Sequence, residues 1–509
     1  MLFNPKKHNI EYKDPKTKEL MQKVIDFMEN KGLKSIKKDW HEKNWNYEFV
    51  EFMKENQIFA TLMTPSGYGD DESRWDTFRN VTFAEITGFY GITYWYTFQV
   101  SMLGLAPVWL GSNEEIKTKT AQLLKDGEVF AFGLSEKEHG ADIYSSDMML
   151  DPQPNGEYKA NGDKYYIGNG NEAALVSTFG KISDSEDYVF FGVDSKHPNY
   201  TCVKNTVNEQ NYVAEYEVND YPITDADIME KGPKAWDNML NTINICKFNL
   251  GFGAIGLCEH AFFEAIEHAA NRNVYGNFVT DFPHVKRLFV DAYARVCAMK
   301  LFAERATDYL RSASLEDRRY LLFNPMVKMK VTSQGEDVIN HLWDIIAAKG
   351  FEKEPFFEIA AHEIRMLPKL EGTVHVNMAL IIKFMQNYFF NPAEFAEVPR
   401  RDDACNDDFL FNQGPTKGLG KIQFHDYKKL GIDENSLKNW LEKAPWDELI
   451  NRRGTTWRKL SEEAKQDIDN DKAIQLMLEN TSLIKRPVLI VDDALYLGFK
   501  EEIYQTIFN

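Results

Sequence analysis

The sequence has little cysteine: five residues among 509, none in a CxxC or other metal-type spacing. The five are Cys202, Cys246, Cys258, Cys297 and Cys405. An odd number of scattered cysteines argues against a disulfide framework and against a cysteine-rich metal site, and it favours a reducing compartment. We therefore expect no metal centre built on these thiols.

Long apolar runs are also missing. No uninterrupted apolar stretch approaches the roughly 20 residues that span a bilayer. The N-terminal segment MLFNPKKHNIEYKD becomes charged before the apolar core of a signal peptide develops. The sequence therefore predicts a cytoplasmic protein without membrane insertion.

Basic residues are fewer than acidic ones. The sequence has 59 Lys and Arg residues and 78 Asp and Glu residues, which gives a formal net charge of −19. Nonspecific nucleic-acid binding needs a cationic surface that displaces counterions, so this balance argues against it. It does not restrict small substrates, because a locally basic pocket can sit on an acidic protein.

Apolar spacing divides the chain into blocks. Leu20, Met21, Val24, Ile25 and Met28 form one helical stripe that we expect to begin at Asp14-Pro15 and to end at Gly32. Between about 129 and 245 the runs are short, rich in aromatic and β-branched residues, and separated by Gly, Asn and Asp, which predicts an antiparallel β-domain. The pair Asn161-Gly162 indicates a hairpin turn within it. Helical spacing returns at Phe248 and persists to about 390.

The fold class that follows is multidomain α+β. The predicted segments are an N-terminal helical domain (1–128), a middle β-domain (129–246), a C-terminal helical bundle (247–395), an irregular connector (396–423) and a tail (424–509). In the tail, RPVLIVDD and ALYLGF predict two short strands, and DENSLKNWLEKA and SEEAKQDIDNDKAIQLMLEN predict helices.

Two motifs lie in the β-block. In FGLSEKEHGAD (132–142), Gly133 and Gly140 permit close approach of a ligand to the backbone, and Ser135 offers a hydroxyl. In KYYIGNG (164–170), Tyr165 and Tyr166 would alternate faces of a strand, so that one could lie against a flat ring. Taken singly, each motif also suits an ordinary strand followed by a polar turn.

Two further motifs lie in the helical block. Arg272, in RNVYG, could grip a diphosphate or could only satisfy the last carbonyls of its own helix. Glu371, in LPKLEGTVHVN (367–377), lies between a leucine and a glycine, where apolar surroundings would raise its pKa and suit it to act as a base. The alternative is a helix-start glutamate beside Thr373.

In this order, the four motifs resemble those of the acyl-CoA dehydrogenase family over about residues 15–395. FGLSEKEHGAD resembles the flavin-binding turn TEPxAGSD, and Tyr166-Ile-Gly-Asn-Gly resembles the (W/Y)ITNG strand. Arg272-Asn-Val-Tyr-Gly resembles RxxFG, and Leu370-Glu-Gly-Thr resembles YEGT, which carries the catalytic glutamate in many members. The resemblance implies that family's fold, with helical, β and helical domains in series, and FAD as cofactor.

The resemblance also implies roles for residues. Glu371 would abstract the α-proton of an acyl-CoA thioester while the β-hydrogen leaves as hydride to flavin N5, and the backbone N–H of Glu371 would stabilise the enolate oxygen. The residues that would line or contact the flavin ring are Phe132, Leu134, Ser135, Tyr166 and Gly168. Arg272 would reach the FAD diphosphate of a neighbouring subunit. Thr373 and His375 would contact the other end of FAD, and Lys247 and Gly372 would contact the substrate. A homodimer or homotetramer and an electron-transferring flavoprotein as electron acceptor follow from the same resemblance.

Several positions depart from the family pattern. Lys137 replaces the proline of TEP, Ala141 the serine of GSD, and Gly168 the threonine of ITNG, which removes a side-chain hydroxyl expected near the flavin edge. AAKGF (347–351) stands where GGxGY is usual, and the family's downstream RD pair is not evident. These changes indicate a divergent subfamily.

The tail resembles a different group, the arsenate reductase/Spx-like thioredoxin-related proteins. FHDYKK (424–429), LINRRGTTWR (449–458) and LIKRPVL (483–489) carry this resemblance, with Arg486-Pro487 as the group's arginine and cis-proline. No cysteine follows Cys405, and the first strand and helix of the group have no counterpart. Without a thiolate the tail cannot perform thiol–disulfide or arsenate chemistry. We expect a partial α/β fragment that serves in packing or docking at most.

Three functional interpretations stay open. The leading one is an FAD-dependent acyl-CoA dehydrogenase. A second keeps the fold but lets oxygen reoxidise the flavin, as in an acyl-CoA oxidase or a nitroalkane-type oxidase. A third is a non-catalytic scaffold whose flavin site has decayed.

Overall fold

The computed structural model describes residues 2–8, 12–385, 388, 395–414, 431–491 and 494–500. The predicted tail motif at 424–429 lies outside these residues. The chain divides into two compact units, Met1–Lys417 and Gly418–Asn509.

The first unit begins with helices, as predicted. They are α1 (Pro15–Glu42), α2 (Tyr47–Glu55), α3 (Ile58–Met63), α4 (Thr77–Tyr90), α5 (Ile92–Leu110) and α6 (Glu114–Lys125). The Asp14 side chain caps α1 by accepting a hydrogen bond from Lys16 N. The end expected at Gly32 is wrong: its φ of 71° only kinks the helix, which resumes and ends at Glu42.

An eight-stranded sheet follows. Its strands are β1 (Phe130–Gly133), β2 (Met149–Pro152), β3 (Tyr158–Gly168), β4 (Leu175–Ile182), β5 (Tyr188–Val193), β6 (Tyr200–Asn205), β7 (Val213–Ile223) and β8 (Ile228–Lys231). Their order is β6-β7-β3-β2-β4-β5-β8, with β1 beside β4. Most pairs are antiparallel, as predicted, while β4 runs parallel to β1 and to β2.

The hairpin predicted at Asn161-Gly162 is wrong. Both residues lie inside β3, where the register against β7 shifts between Ala160 and Gly162. Gly162 has a φ of +142°, and a Cβ there would lie 3.1 Å from the backbone of Met148. The glycine therefore serves a bulge rather than a turn.

Helices return after the sheet. They are α7 (Pro233–Cys246), α8 (Asn249–Asn271), α9 (Pro283–Arg311), α10 (Tyr320–Met326), α11 (Thr332–Ile346), α12 (Phe357–Glu363) and α13 (Val374–Met385). A two-stranded hairpin, β9 (Asn273–Val274) and β10 (Asn277–Phe278), follows α8. A π-helical turn, Val327–Val331, joins α10 to α11.

Helix α5 connects the helices to the sheet. Nearly all of its residues are buried. A Cβ on Gly104 would lie 2.5 Å from Ala131 O of β1, so only glycine permits this approach. At β3, a Cβ on Gly168 would lie 2.7 Å from atoms of Tyr96 and Val100. Side chains of α5 therefore reach the strand ends where the predicted ligand motifs lie.

The second unit has its own small apolar core, which includes Leu437, Leu449, Ile474, Met477 and Leu483. Its helices are α14 (Glu434–Lys443), α15 (Trp446–Leu449), α16 (Thr455–Lys459) and α17 (Asn470–Glu479). The two predicted strands are present as β11 (Val488–Val491) and β12 (Ala494–Leu497). The Arg486-Pro487 peptide is cis, as expected. In the described part of the whole chain, no helix has the length and apolarity needed to cross a bilayer.

Candidate active site

Glu371 lies in a tight turn between α12 and α13. Its φ is +50° and that of Gly372 is +88°, so two successive residues adopt the left-handed conformation. Glycine tolerates this region, but a glutamate there carries backbone strain of about 1 kcal/mol or more. Strain of this kind persists only where the surrounding structure fixes the turn.

The Glu371 carboxylate has one bonded oxygen and one free oxygen. Oε1 accepts a hydrogen bond from Gln99 Nε2 at 2.8 Å. Oε2 is buried and has no hydrogen-bond partner among the described residues. Burial raises the pKa of Glu371 to about 7, although the Gln99 hydrogen bond and the positive charges of Lys247 and Lys328 oppose the shift. The side chain is thus a carboxyl group that is half ionised near neutral pH.

Two amides fix the direction of that hydrogen bond. Asn249 Nδ2 donates to Gln99 Oε1 at 3.0 Å, so the Gln99 amide must present its nitrogen to Glu371. Gln99 Nε2 also donates a hydrogen bond to Cys246 O at 3.3 Å. The sequence analysis missed Gln99 and Asn249. The available signal was a single amide within the otherwise largely apolar helix α5.

Lys247 supports the turn from the α7–α8 junction. It is 1% exposed, and its Nζ donates to Asn377 Oδ1 at 3.1 Å. Asn377 Nδ2 in turn donates to Gly372 O and Thr373 O, each at 3.0 Å. Burial lowers the pKa of Lys247 to about 7, partly offset by the charge of Glu371. Lys247 therefore lies against the turn that carries Glu371.

Lys328 supports the turn from the other side. It lies in the π-helical turn Val327–Val331 and is fully buried. Its Nζ donates to Pro368 O at 2.7 Å and also to Gly372 O. Burial lowers the pKa of Lys328 to about 8. The sequence analysis missed this residue, because its partners are 40 and 44 positions away.

The residues predicted to face a flavin lie at the ends of β1 and β3. Ser135 Oγ donates to Tyr165 O at 2.6 Å, so this hydroxyl ties the turn after β1 to β3. A register shift between Lys164 and Ile167 breaks the alternation expected for Tyr165 and Tyr166. Tyr166 has a φ of +66° and is 60% exposed. Phe132 and Leu134 are half-buried, and Gly168 is buried against α5.

The residues predicted to contact the rest of the cofactor lie on the surface. Arg272 caps α8, and its exposed side chain has no partner within the described residues. Thr373 and His375 are exposed at the start of α13. Glu371, Lys247 and Gly372 thus come together, whereas Arg272, Thr373 and His375 face outward.

Comparisons with known proteins agree with this fold. Residues 234–386 match the family model "Acyl-CoA dehydrogenase, C-terminal domain", and residues 381–507 match "ArsC family". The structure of butyryl-CoA dehydrogenase from Megasphaera elsdenii superposes with a TM-score of 0.67 at 18% identity, covering 73% of this chain and 98% of that one. The fold class and both predicted resemblances are confirmed.

Two curated relatives match different parts of the chain. The acryloyl-CoA reductase (NADH) of Anaerotignum propionicum is 22% identical over 283 residues, which are 54% of this chain and 70% of that protein. An uncharacterized protein of Haemophilus influenzae is 41% identical over 86 residues, which are 17% of this chain and 75% of that protein. The 86-residue part of the chain that matches the Haemophilus protein belongs to the same family as that protein.

Proposed function

We propose that this chain, which carries the acyl-CoA dehydrogenase fold and family match described above, is an FAD-dependent enzyme that introduces an α,β double bond into an acyl-CoA thioester, with Glu371 as the base. The observation that carries this proposal is the buried, unpartnered Oε2 of a carboxyl group whose pKa is about 7. A buried polar atom without a partner is uncommon and calls for a ligand or a reaction to explain it.

The residues present fit a bound FAD. Tyr166 offers a 60% exposed aromatic ring at the end of β3, and the half-buried Phe132 and Leu134 lie at the end of β1. The exposed Arg272 has a free guanidinium that suits a diphosphate. When bound, FAD would supply the acceptor for a hydride.

The reaction balances with one base and that acceptor. Glu371 Oε2 would take the α-proton as the Cα–H bond breaks, and bound FAD would supply the acceptor for the hydride released when the Cβ–H bond breaks. The α,β double bond forms from the electron pair of the Cα–H bond. Glu371 ends protonated, which its raised pKa favours.

A thioester α-hydrogen is too weakly acidic for a carboxylate alone, so the developing enolate oxygen needs a donor. The backbone N–H of Glu371 makes no hydrogen bond within the described part of the chain. This supports its role as one such donor. Exclusion of water on substrate binding would strengthen the hydrogen bond.

The assembly and the electron acceptor belong to the same proposal. Tyr275, Phe278 and Val290, on the hairpin after α8 and on α9, are 93%, 48% and 64% exposed. Exposed apolar side chains near Arg272 support a homodimer or homotetramer in which Arg272 reaches the FAD of a neighbouring subunit. An electron-transferring flavoprotein would accept the electrons. One structural neighbour is named as an electron transferring flavoprotein of Acidaminococcus fermentans.

The test is anaerobic bleaching of the flavin band by a panel of acyl-CoAs. Glu371→Gln keeps the shape of the side chain and should retain FAD, but it should bleach slower by several orders of magnitude. Glu363→Gln is a matched control. Burial also raises the pKa of Glu363 to about 7, but its two oxygens accept hydrogen bonds from Trp40 Nε1 and Ile92 N. Equal bleaching rates in wild type and Glu371→Gln would remove Glu371 from this role.

The oxidase alternative differs only in the acceptor. One structural neighbour, with a TM-score of 0.64, is named as the prolyl acyl carrier protein oxidase AnaB. After anaerobic reduction, mixing with air separates the two: stoichiometric peroxide indicates an oxidase, and slow reoxidation indicates a dehydrogenase. A purified protein that stays colourless after soaking with FAD would instead support the scaffold interpretation.

A further inference from the structure

The side chain of Tyr96, on helix α5, lies against Gly168 of β3, which has no side chain of its own. A Cβ built on Gly168 would lie 2.7 Å from both the hydroxyl oxygen and Cε1 of Tyr96. Any side chain at residue 168 would have to begin in this same space. The Tyr96 hydroxyl therefore lies where a side chain of β3 at this position would start.

The Tyr96 hydroxyl is free to bind a ligand. Tyr96 is 7% exposed, and none of the described residues hydrogen-bonds to its hydroxyl. Tyr94, two residues earlier in the same helix, differs because its hydroxyl is sealed inside the protein without a partner. Unlike that atom, the Tyr96 hydroxyl keeps contact with open space.

The Tyr96 hydroxyl also interacts electrostatically with Glu371. Burial raises the pKa of Tyr96 well above its ordinary value, and the charge of Glu371 raises it further. A phenol with such a pKa stays protonated at neutral pH. It is consequently a hydrogen-bond donor within electrostatic range of the Glu371 carboxylate.

We infer that Tyr96 supplies, from α5, the hydroxyl that faces the bound FAD at the end of β3, in place of a side chain at Gly168. This inference rests on the proposed function. Tyr96 and Gly168 form a compensating pair in which the donor has moved from the strand to the helix. Tyr96 and Val100 together explain why β3 requires glycine at this position.

The test compares Tyr96→Phe with Tyr94→Phe, which removes a hydroxyl from the same helix without touching the site. FAD is titrated into each apo-protein, and the visible spectrum of the bound flavin is recorded. We expect Tyr96→Phe to weaken FAD binding by about 5- to 30-fold, the factor that one hydrogen bond contributes, and to shift the flavin bands. Tyr94→Phe should leave both unchanged. FAD affinity and spectrum in Tyr96→Phe that equal those of Tyr94→Phe would overturn the inference.

A second pair of variants decides the question if Tyr96→Phe folds poorly. Gly168→Ser in the wild-type background should weaken FAD binding, because the new side chain collides with Tyr96. In a Tyr96→Ala, Val100→Ala background, which removes both side chains that a Cβ at residue 168 would meet at 2.7 Å, the same substitution should strengthen FAD binding, because the hydroxyl returns from the strand. An effect of the same sign in both backgrounds would contradict the pairing. Wild-type protein that binds no FAD would instead contradict the proposed function.

Discussion

At the scale of single residues, two buried glutamates with similar pKa values carry different meanings. Burial raises the pKa of both Glu371 and Glu363 to about 7. Glu363 is held at both oxygens by Trp40 and Ile92, so it joins α1 to α5 and has no oxygen left for chemistry. Glu371 keeps Oε2 free. A raised pKa alone therefore does not mark a base, because structural carboxyl groups such as Glu363 share it.

The pH dependence of flavin reduction should report the ionisation of Glu371. The base must be deprotonated, so the anaerobic rate should rise with pH through a midpoint of about 7. Because the positive charge of Lys247 lowers the pKa of Glu371, Lys247→Met should raise that pKa and move the midpoint upward. The shift should be less than about one pH unit, since Lys247 has a pKa of about 7 and is only partly charged at the midpoint. Lys247→Arg retains the charge and should not move it upward. A midpoint in Lys247→Met at or below that of the wild type would refute this electrostatic role.

The sequence was sufficient to propose Glu371 but not its surroundings. A glutamate between leucine and glycine after Pro368 is a local pattern that one sequence displays. Gln99 is 272 positions from its partner Glu371, and it lies in a helix that is buried on almost every side. No periodicity distinguishes the face of such a helix that meets the site. Only the tertiary packing places Gln99 next to Glu371.

At the scale of elements, the π-helical turn between α10 and α11 aims Lys328 at the Glu371 turn. A π turn inserts one extra residue into a helix and changes the direction of its side chains, and such turns are frequent at functional sites. Lys328 points inward to two carbonyls, while Lys330, two residues later in the same turn, is exposed. The irregular turn and the strained Glu371 are thus joined directly.

Replacing Lys328 by Met should loosen the Glu371 turn. Pro368 O loses its donor, and we expect the free energy of unfolding of the apo-protein to fall by about 2–4 kcal/mol in urea denaturation. Misplacement of the base by about 1 Å would slow flavin reduction at saturating acyl-CoA by roughly 10- to 100-fold. Acyl-CoA affinity should change less.

Lys330→Met is the control for this change, since it removes an exposed lysine from the same π turn. It should leave both stability and rate near those of the wild type. If Lys328→Met matched Lys330→Met in the rate of flavin reduction, the turn would not depend on the Lys328 anchor.

Apolar spacing predicted most elements. One error is helix α7 (Pro233–Cys246), which lies inside the segment predicted as a β-domain, and two others involve glycine. Gly32 was expected to end α1, and Asn161-Gly162 was expected to form a hairpin turn. In both places a glycine with positive φ relieves a local distortion, a kink in one case and a bulge in the other, and the element continues. Glycine signals a backbone conformation that other residues avoid, but the sequence does not say whether the chain reverses there.

At the scale of the whole molecule, the net charge of the chain differs in sign from the charge of the groups around Glu371. The chain carries a formal charge of −19, yet two buried lysines and one glutamate meet at the Glu371 turn. An overall acidic protein thus contains a site that is neutral or positive inside. Net charge argues against nonspecific nucleic-acid binding, but it carries no information about the site.

The division into two units predicts that the dehydrogenase chemistry does not need the tail. All residues proposed for catalysis and FAD binding lie before Lys417, and the cysteine-free tail has a separate apolar core. A chain ending at Lys417 should therefore bind FAD and bleach with acyl-CoA within about twofold of the full-length rate, since no proposed group is removed. Stopped-flow bleaching of both chains under identical conditions is the measurement, with FAD content per chain as the control for folding. The contrary outcome is a shortened chain that folds and binds FAD but fails to bleach. The tail would then take part in the reaction, and its role would lie in catalysis rather than in packing or docking.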